Sequence, residues 1–565
     1  MKLKIKKLIP IFLLVAVNCF AGETPPAAAI ASAQPLATAA GMEILNKGGN
    51  AFDAAVAVTA ALAVVEPMGS GLGGGGFWLL HRESDGLDIM LDGREKAPGA
   101  AHPRMYLNDD DEVNKGVSLN GPMAAGIPGV PMAMVYLAEN YGRLPLAESL
   151  KPAIRYAEKG FEVTPRYYGM ISFRWNVISR YPAAAAIFGQ DGHVPDLGHK
   201  IVQKDLAKAL RLLAKQGADG FYTGRFAQKL VQGVQSAGGI WTLEDLAGYN
   251  VVERPPIVFQ YHDMKITSAS PPSSGGVVLG EMLSILQHFD INDMDEAARD
   301  HYIVEAMRRA YRDRAVFLGD PDFVDVPVNR LLQPDYIAGL ALTIDPDRAT
   351  PSSELSDTPN LDETGNSTTH FSIIDMEGNR VAATLSVNLP FGSGFVAPGT
   401  GVLLNDEMDD FSIKPHTPNA YGLVGDHANA IAPGKRPLSS MSPTFVETAD
   451  RVGILGTPGG SRIITMVLLG ILDFEKGHLP ASWVSRPRFH HQYLPDQIEY
   501  EQNGLHYTVM QGLMKRGHHL AIAPRGRYGN MQAVLWDKKN QRVYAASDPR
   551  GEGEALVNTI SRKRP

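Results

Sequence analysis

Residues 365–388 carry the side chains best suited to nucleophilic chemistry. Alternating apolar positions on either side of an E-G-N turn at Gly378 predict two antiparallel strands. A turn centred there pairs residues whose numbers sum to about 756, so Thr368 is expected opposite Asn388, with Ser386 one diagonal step away. Such a polar face is either ordinary solvated sheet surface or a hydroxyl nucleophile with polar neighbours.

The composition indicates a folded, mildly acidic protein. Of the 565 residues, 44% are hydrophobic and 20% are charged, which excludes a disordered or fibrous chain. The net charge of −8 argues against nucleic acid as a partner, because phosphate binding needs a basic surface. At roughly 150 residues per domain, length alone suggests three or four domains.

Residues 1–21 are typical of a secretory signal peptide, with lysines, then an apolar stretch over 8–17, then small residues before Gly22. The stretch is too short for a membrane-spanning helix, and no later run of about 20 uncharged apolar residues occurs. We therefore expect a periplasmic or secreted protein. The sole cysteine, Cys19, would leave with the signal, so no disulfide is expected. The alternative, a lipidated Cys19, is disfavoured by Asn18, where such sites prefer a small residue.

The secondary-structure elements that must position Thr368, Ser386 and Asn388 follow a mixed α and β pattern. Helical patterns cover residues 35–50, 53–67, 144–160, 204–220 and 295–318. The almost wholly apolar second pattern predicts a buried helix. The glycine-rich Gly69–Leu80 segment lacks the order strand, glycines, helix and has no lysine after its last glycine. Close backbone packing is expected there rather than a phosphate cradle.

Neither the histidine pairs nor the acidic run predicts a metal site. His490/His491 and His518/His519 are neighbours in sequence, so on a strand the two members of each pair would point in opposite directions. The acidic run over 108–112 lacks the glycine and distal glutamate of a calcium loop. We expect no metal and no cofactor.

Several longer motifs, in the same order, resemble the γ-glutamyltranspeptidases, a family of N-terminal-nucleophile hydrolases. The motifs in the C-terminal part are STTHFSIID, NDEMDDF, the run from Asn419 to Val446, GTPGGSRIIT, PRFHHQ and ASDPR. Those upstream are GGNAFDAAVAV, GLGGGGF, DGREKAP, GGIWTLEDLAGY, PPSSGG and GDPDFV. The resemblance covers nearly all of the mature chain. It implies an enzyme that transfers γ-glutamyl groups from donors such as glutathione to water, amino acids or peptides.

The resemblance also implies a precursor that cuts itself between Ser367 and Thr368. The large piece, residues 22–367, and the small piece, residues 368–565, would together form one α+β fold, a four-layer αββα sandwich. The freed α-amine of Thr368 would act as the base, because such an amine has a pKa near 8. Its hydroxyl would then form an acyl-enzyme with the γ-glutamyl group.

The implied binding residues hold a γ-glutamyl donor by its two charged groups and its carbonyl oxygen. They are Arg94, Ser439 and Ser440 for the α-carboxylate; Asn388, Glu407 and Asp410 for the α-ammonium; and the backbone N–H groups of Gly459 and Gly460 for the oxyanion. Ser386 stands where the family often has a supporting threonine and lacks that residue's β-branch. Relatives have either Gln or Glu at the position of Glu407.

Residues 411–438, rich in proline and glycine, resemble the family's lid loop, with Tyr421 as its covering aromatic. A lid favours small γ-glutamyl donors over bulky polymers. One alternative is an acylase of the same superfamily, whose glutaryl-type substrate has no α-amine. Another is a non-catalytic periplasmic amino-acid binder, which would remain uncleaved.

Overall fold

The computed structural model describes residues 24–355, 368–523 and 526–559. The predicted signal peptide and Ser367 lie outside these ranges. Within them, no helix combines the length and apolar character needed to cross a membrane.

Two antiparallel sheets and two helical layers form the fold. The strands are β1 (Ala28–Ser32), β2 (Gly75–Arg82), β3 (Leu87–Gly93), β4 (Phe161–Glu162), β5 (Lys200–Ile201), β6 (Val252–Arg254), β7 (Ile257–Tyr261), β8 (Met264–Ser268), β9 (Thr369–Ile374), β10 (Arg380–Ser386), β11 (Thr444–Glu447), β12 (Arg451–Gly456), β13 (Phe489–His490), β14 (Ile498–Tyr500), β15 (Leu520–Ile522), β16 (Gln532–Asp537), β17 (Arg542–Ser547) and β18 (Glu554–Asn558). The α-helices are α1 (Pro35–Asn46), α2 (Ala51–Val65), α3 (Lys115–Leu119), α4 (Val130–Asn140), α5 (Leu146–Lys159), α6 (Pro165–Ile178), α7 (Pro182–Phe188), α8 (Lys204–Gln216), α9 (Asp219–Tyr222), α10 (Gly224–Ser236), α11 (Leu243–Ala247), α12 (Gly275–Leu286), α13 (Glu296–Phe317), α14 (Val328–Leu331), α15 (Pro334–Leu342), α16 (Ile463–Glu475), α17 (Pro480–Ser485) and α18 (Tyr507–Lys515).

Both sheets draw strands from the two sides of the predicted cleavage bond. The seven-stranded sheet has the order β18-β1-β9-β10-β2-β3-β6, and the six-stranded sheet has the order β17-β16-β12-β11-β8-β7. Because β9 and β10 lie between β1 and β2, neither piece of the chain completes its sheet alone. The expectation of three or four separate domains is therefore wrong.

Side-chain alternation along the strands separates two cores. In β2, Trp78 and Leu80 point into a core shared with α1, α2, α4, α5 and α8. The intervening Phe77 and Leu79 point into a second core shared with the six-stranded sheet, α12, α13 and α16. The layer order is therefore α, β, β, α, and the predicted four-layer sandwich is confirmed.

The segment that precedes β2 packs as expected. Every residue of α2 is buried. A Cβ placed on Gly73 would lie 2.0 Å from the carbonyl oxygen of Leu403, and one on Gly74 would lie 2.1 Å from that of Ser386. Side chains would exclude both approaches, so these glycines serve close backbone packing, as predicted.

The β9–β10 register differs from the prediction by two residues. Thr369 pairs with Leu385, so the next position brings Thr368 opposite Ser386 rather than Asn388. The carboxylate of Asp375 accepts N–H groups on the far side of the turn, which closes a three-residue loop over 376–378. Gly378, at φ 97°, is the last residue of that loop rather than its centre.

Candidate active site

Thr368 lies immediately before β9 and is 4% exposed. Its Oγ1 is 3.4 Å from the Oγ of Ser386, at the adjacent end of β10. The Ser386 oxygen accepts the backbone N–H of Asn388 at 2.7 Å. The three predicted polar residues therefore share one face, which is buried rather than solvated.

Asn388 is held by its own backbone conformation and by two hydrogen bonds in addition to the one its N–H makes to Ser386. Its φ of 73° is a left-handed value that asparagine tolerates better than most residues. Its side-chain amide donates to the carbonyl oxygen of Asp406 at 2.9 Å. Its own carbonyl oxygen accepts the hydroxyl of Tyr421, also at 2.9 Å. Asn388 thus connects the nucleophile strand to the predicted lid.

Arg94 is fully buried at the end of β3 and is held by acids. Its Nη1 lies 2.8 Å from Glu407 Oε2, and its Nη2 lies 2.5 Å from Asp410 Oδ2. Its Nε donates to the carbonyl oxygen of Pro437 at 3.2 Å. The predicted carboxylate-binding and ammonium-binding residues therefore neutralise each other in this structure.

Glu95 adds a third carboxylate to this cluster, which motif reading did not single out. Its Oε2 lies 3.5 Å from Arg94 Nη1, and it is fully buried. Burial raises the pKa of Glu95 to about 7, although Arg94 opposes the shift. Burial likewise raises the pKa of Glu407 well above its ordinary value. The cluster therefore retains a proton near neutral pH.

Ser440 is fixed by a second buried arginine, Arg314 of α13. Its hydroxyl oxygen accepts from Arg314 Nη2 at 3.1 Å, while Arg314 Nε donates to Ser274 Oγ at 3.0 Å. Among the described residues no carboxylate lies within 4.0 Å of the Arg314 guanidinium, and burial lowers its pKa to about 10. Sequence reasoning missed Arg314. Its place just upstream of the GDPDFV motif was the available signal.

Gly459 and Gly460 occupy the turn between β12 and α16 with φ values of 147° and 57°. These backbone conformations favour glycine. A Cβ on Gly460 would lie 2.2 Å from the ring of Tyr421. The turn therefore packs against the ring of Tyr421, and each of its two glycines lines a cavity that Thr368 also lines.

Three residues of the predicted lid, Tyr421, Leu423 and Leu438, line the site. Tyr421 is buried, and Asn419 beside it donates to Asp410 Oδ1 at 3.1 Å. Within the loop, the N–H of Ser412 donates to the carbonyl oxygen of Asn429 at 2.9 Å, which brings together the two ends of residues 413–428.

Ten of the eleven predicted site residues line one small cavity of about 20 Å³, which has room for roughly one water molecule. They are Arg94, Thr368, Ser386, Asn388, Glu407, Asp410, Tyr421, Ser439, Ser440 and Gly460. The remaining one, Gly459, lines the adjoining cavity on the other side of Thr368. We call the small cavity the donor pocket. This volume is too small for an amino-acid head, so lining side chains must move before a substrate can enter.

Outside this site, the described residues contain one group of potential metal ligands, His301, Glu305 and His518. His301 Nδ1 and His518 Nε2 share a hydrogen bond of 2.8 Å. Glu305 forms ion pairs with Arg308 at 3.1 Å and Arg309 at 2.5 Å. Two guanidinium groups this close disfavour a bound cation, so we interpret the group as a structural network.

The chain is similar to known proteins both in sequence and in fold. The family model for gamma-glutamyltranspeptidase matches residues 37–558. The chain is 42% identical over 537 residues to a "Glutathione hydrolase proenzyme" of Pseudomonas sp. (strain A14), covering 92% of each chain. It is 41% identical over 526 residues to the protein of that name from Escherichia coli (strain K12), covering 92% of this chain and 90% of the relative. A crystal structure of cephalosporin acylase from Bacillus halodurans superposes with a TM-score of 0.83 at 28% identity, covering 98% of this chain and 99% of the other. The chain therefore belongs to the γ-glutamyltranspeptidase family.

Proposed function

We propose that the chain is the precursor of a γ-glutamyltransferase and glutathione hydrolase. It would cleave itself between Ser367 and Thr368 and then use Thr368 as its nucleophile. The observation that carries the proposal is the donor pocket, which a buried threonine lines together with two guanidinium groups and two carboxylates. The names of its relatives support the same reaction.

In the processed enzyme the α-amine of Thr368 would take the proton from its own hydroxyl as Oγ attacks the γ-carbonyl carbon. The N–H groups of Gly459 and Gly460 would stabilise the oxyanion. The amine returns the proton to the leaving nitrogen, and an acyl-enzyme remains. Water gives glutamate and an amine acceptor gives a new γ-glutamyl amide, in each case with Thr368 regenerated.

The ion pairs around Arg94 explain how a zwitterionic donor head would be accommodated. The donor's α-carboxylate would take the place of the acids on the guanidinium, and its ammonium would take Glu407 and Asp410 as partners. Every buried charge then keeps a partner of opposite sign. A donor without an α-ammonium would leave the displaced acids unpaired, at a high desolvation cost.

We also propose that residues 1–21 direct export and are removed, and that the two pieces stay together as a heterodimer. The interleaved strands of the seven-stranded sheet support the second point, because separating the pieces would break three strand pairings, β18–β1, β1–β9 and β10–β2.

An acylase acting on glutaryl-type amides is the second candidate, favoured by the structural likeness to cephalosporin acylase. The two candidates differ in the substrate's head group. Glu407 and Asp410 both lie in the donor pocket, and an ammonium-free head has no use for two carboxylates. The pocket thus favours γ-glutamyl donors.

The deciding experiment compares γ-glutamyl p-nitroanilide with glutaryl p-nitroanilide. A hydrogen bond to a charged group contributes roughly 1.5 to 3 kcal/mol, so the purified enzyme should prefer the γ-glutamyl substrate by about ten- to 150-fold in kcat/KM. Asp410→Ala should shrink that preference, whereas Arg94→Ala should impair both substrates because both carry a carboxylate. Asp109→Ala, an exposed acid that does not line the donor pocket, is the control. Equal turnover of the two anilides would establish the acylase instead.

A further inference from the structure

The tip of the predicted lid, residues 419–423, is a compact turn with its own hydrogen bonds. The side-chain oxygen of Asn419 accepts the backbone N–H groups of Tyr421 at 2.9 Å and of Leu423 at 3.1 Å. The N–H of Asn419 in turn donates to the carbonyl oxygen of Leu423 at 3.1 Å. These bonds lie within the tip, so they give it a shape but do not attach it to the rest of the molecule. Its attachment depends on residues outside it.

Asp409 attaches one side of the tip through a backbone N–H group. It lies in the helical turn Glu407–Asp410 and is fully buried. Its Oδ2 accepts the N–H of Ala420 at 2.7 Å, and its Oδ1 accepts the hydroxyl of Ser118 in α3 at 2.8 Å. Burial raises the pKa of Asp409 to about 6, so at pH 8 the carboxyl group is ionised and both hydrogen bonds are charge-assisted.

Gln492, the last residue of the PRFHHQ motif, attaches the next lid residue. It is buried, and its Nε2 donates to the carbonyl oxygens of Tyr421 and Leu494, each at 3.2 Å. Its Oε1 shares a hydrogen bond of 2.9 Å with Nε2 of His490, which orients the amide. Two consecutive lid residues are therefore held through their backbone, one from each direction.

Few apolar contacts assist these hydrogen bonds. Leu389, Ala420 and Tyr421 form a small buried cluster that is separate from the two main cores. Residues 414–416 of the lid are exposed. A segment that buries so few apolar side chains opens locally at a low free-energy cost. The polar attachments therefore have a large share in keeping the tip in place.

Asp410 also contacts the tip, but a donor would change that contact. Its Oδ1 accepts Asn419 Nδ2 at 3.1 Å, while its Oδ2 pairs with Arg94 at 2.5 Å. The donor's ammonium is proposed to take the same carboxylate. Asp409 and Gln492, in contrast, do not line the donor pocket, so their bonds to the lid can persist when a donor is bound.

We propose that Asp409 and Gln492 are positioning residues that anchor the lid tip over the donor pocket. Their hydrogen bonds to two consecutive lid residues set how often the tip moves away. The inference deepens the proposed function and rests on it, since a lid has a role only if a substrate enters the pocket. Neither residue takes part in the chemical steps. How often the tip opens would limit donors that are too bulky for the closed pocket.

The first measurement is the rate at which chymotrypsin cuts the processed enzyme after Tyr421 at pH 8, with the bond identified from fragment masses. Tyr421 is buried while the tip is in place, and cleavage of a briefly opened segment tracks the population of the open form. Asp409→Ala loses a hydrogen bond to a charged acceptor, so the rate should rise about tenfold or more. Gln492→Leu loses a neutral hydrogen bond, so the rise should be about twofold to tenfold.

Two further variants separate anchoring from general stability. Asp409→Asn keeps an oxygen that can accept from Ala420 and an N–H that can donate to Ser118, so its cleavage rate should fall between those of the wild type and Asp409→Ala. The matched control is Asp53, a fully buried acid in α2 that accepts the N–H groups of Arg143 at 3.0 Å and Leu144 at 3.1 Å. Asp53→Ala should lower the Tm but leave the cleavage rate after Tyr421 unchanged.

The second measurement is the ratio of kcat/KM for a bulky γ-glutamyl peptide to kcat/KM for γ-glutamyl p-nitroanilide. The variants should raise this ratio in the same order in which they raise the rate of cleavage. Loss of fold stability alone would not produce this agreement, because it lowers the amount of active enzyme equally for both donors. Should Asp409→Ala fail to fold, Asp409→Asn and Gln492→Leu supply both measurements.

The outcomes separate this inference from the function on which it rests. If the wild type releases no nitroaniline from the γ-glutamyl donor, the proposed function fails, while the cleavage rates still test the anchors. If the Asp409 and Gln492 variants are cut after Tyr421 no faster than the wild type, the anchors are assigned wrongly. Faster cutting with an unchanged kcat/KM ratio would also overturn the proposal, because the anchored tip would then not control entry to the donor pocket.

Discussion

The hydroxyl oxygens of Thr368 and Ser386 lie 3.4 Å apart at adjacent ends of β9 and β10. The Ser386 oxygen already accepts the N–H of Asn388 at 2.7 Å, so its own hydroxyl hydrogen remains for another acceptor. Thr368 Oγ1 is the acceptor that this geometry offers. A small closure of the two strands on substrate binding would shorten the contact to ordinary hydrogen-bond length.

Ser386→Ala should therefore slow both self-cleavage and catalysis. Loss of one buried hydrogen bond, worth about 1 to 1.5 kcal/mol, lowers kcat/KM by about fivefold to tenfold. Ser386→Thr keeps the hydroxyl and should retain most activity. The measurement is kcat/KM for γ-glutamyl p-nitroanilide, with Ser149→Ala, a buried serine in α5, as the control. If Ser386→Ala matches that control, Ser386 does not support the nucleophile.

The lid should restrict donor size. Within it, Ser412 and Asn429 are joined by a backbone hydrogen bond, so residues 413–428 between them can be replaced by a short glycine linker. The full 411–438 segment is a poorer choice, because it includes Pro437, whose carbonyl oxygen accepts from Arg94. Without the lid, kcat/KM for bulky γ-glutamyl peptides should rise relative to that for glutathione. Identical kinetics for small and bulky donors in both proteins would mean that this loop does not cover the site.

The Glu95 carboxyl should make folding stability depend on pH. Its folded-state pKa of about 7 lies above the ordinary value of 4.5, so the folded state holds more protons than the unfolded state between these values. The contribution of the protonated Glu95 carboxyl to folding stability is fully present below pH 4.5 and is lost as the pH rises through 7. Glu95→Gln removes this titration, so its Tm relative to wild type should rise between pH 5 and pH 8. Parallel Tm curves for the two proteins would contradict the assignment.

Local patterns were enough to predict the buried helix α2, the close-packed glycines and the β9–β10 hairpin. The predicted register was wrong because the turn is fixed by the Asp375 carboxylate, which accepts the N–H groups of Glu377 and Asn379. The glycine at position 378 indicates that a turn is present but does not show where its centre lies. The sandwich itself came from the resemblance. The hydrophobic periodicity of the sequence does not reveal that strands from both sides of residue 367 are neighbours in one sheet.

The site residues followed from matched motifs, but their mutual contacts did not. Arg94 and Asp410 are 316 positions apart, and nothing local reveals that they form an ion pair. Arg314 was missed for a related reason. A charged residue in an ordinary helical pattern is expected at the surface, and only the folded structure shows it buried against Ser440.

The most direct test of the central claim, that Thr368 is the residue freed by self-cleavage and the nucleophile, is the intact mass of the purified protein under denaturing conditions. The wild type should give two fragments whose masses sum to that of the mature chain plus one water, and the smaller should begin at Thr368. Thr368→Ala should give one unbroken chain with no turnover of γ-glutamyl p-nitroanilide, while Thr368→Ser, which keeps a hydroxyl, should still split. A Thr368→Ala protein that divides at the same bond, or a wild type that remains one active chain, would contradict the account.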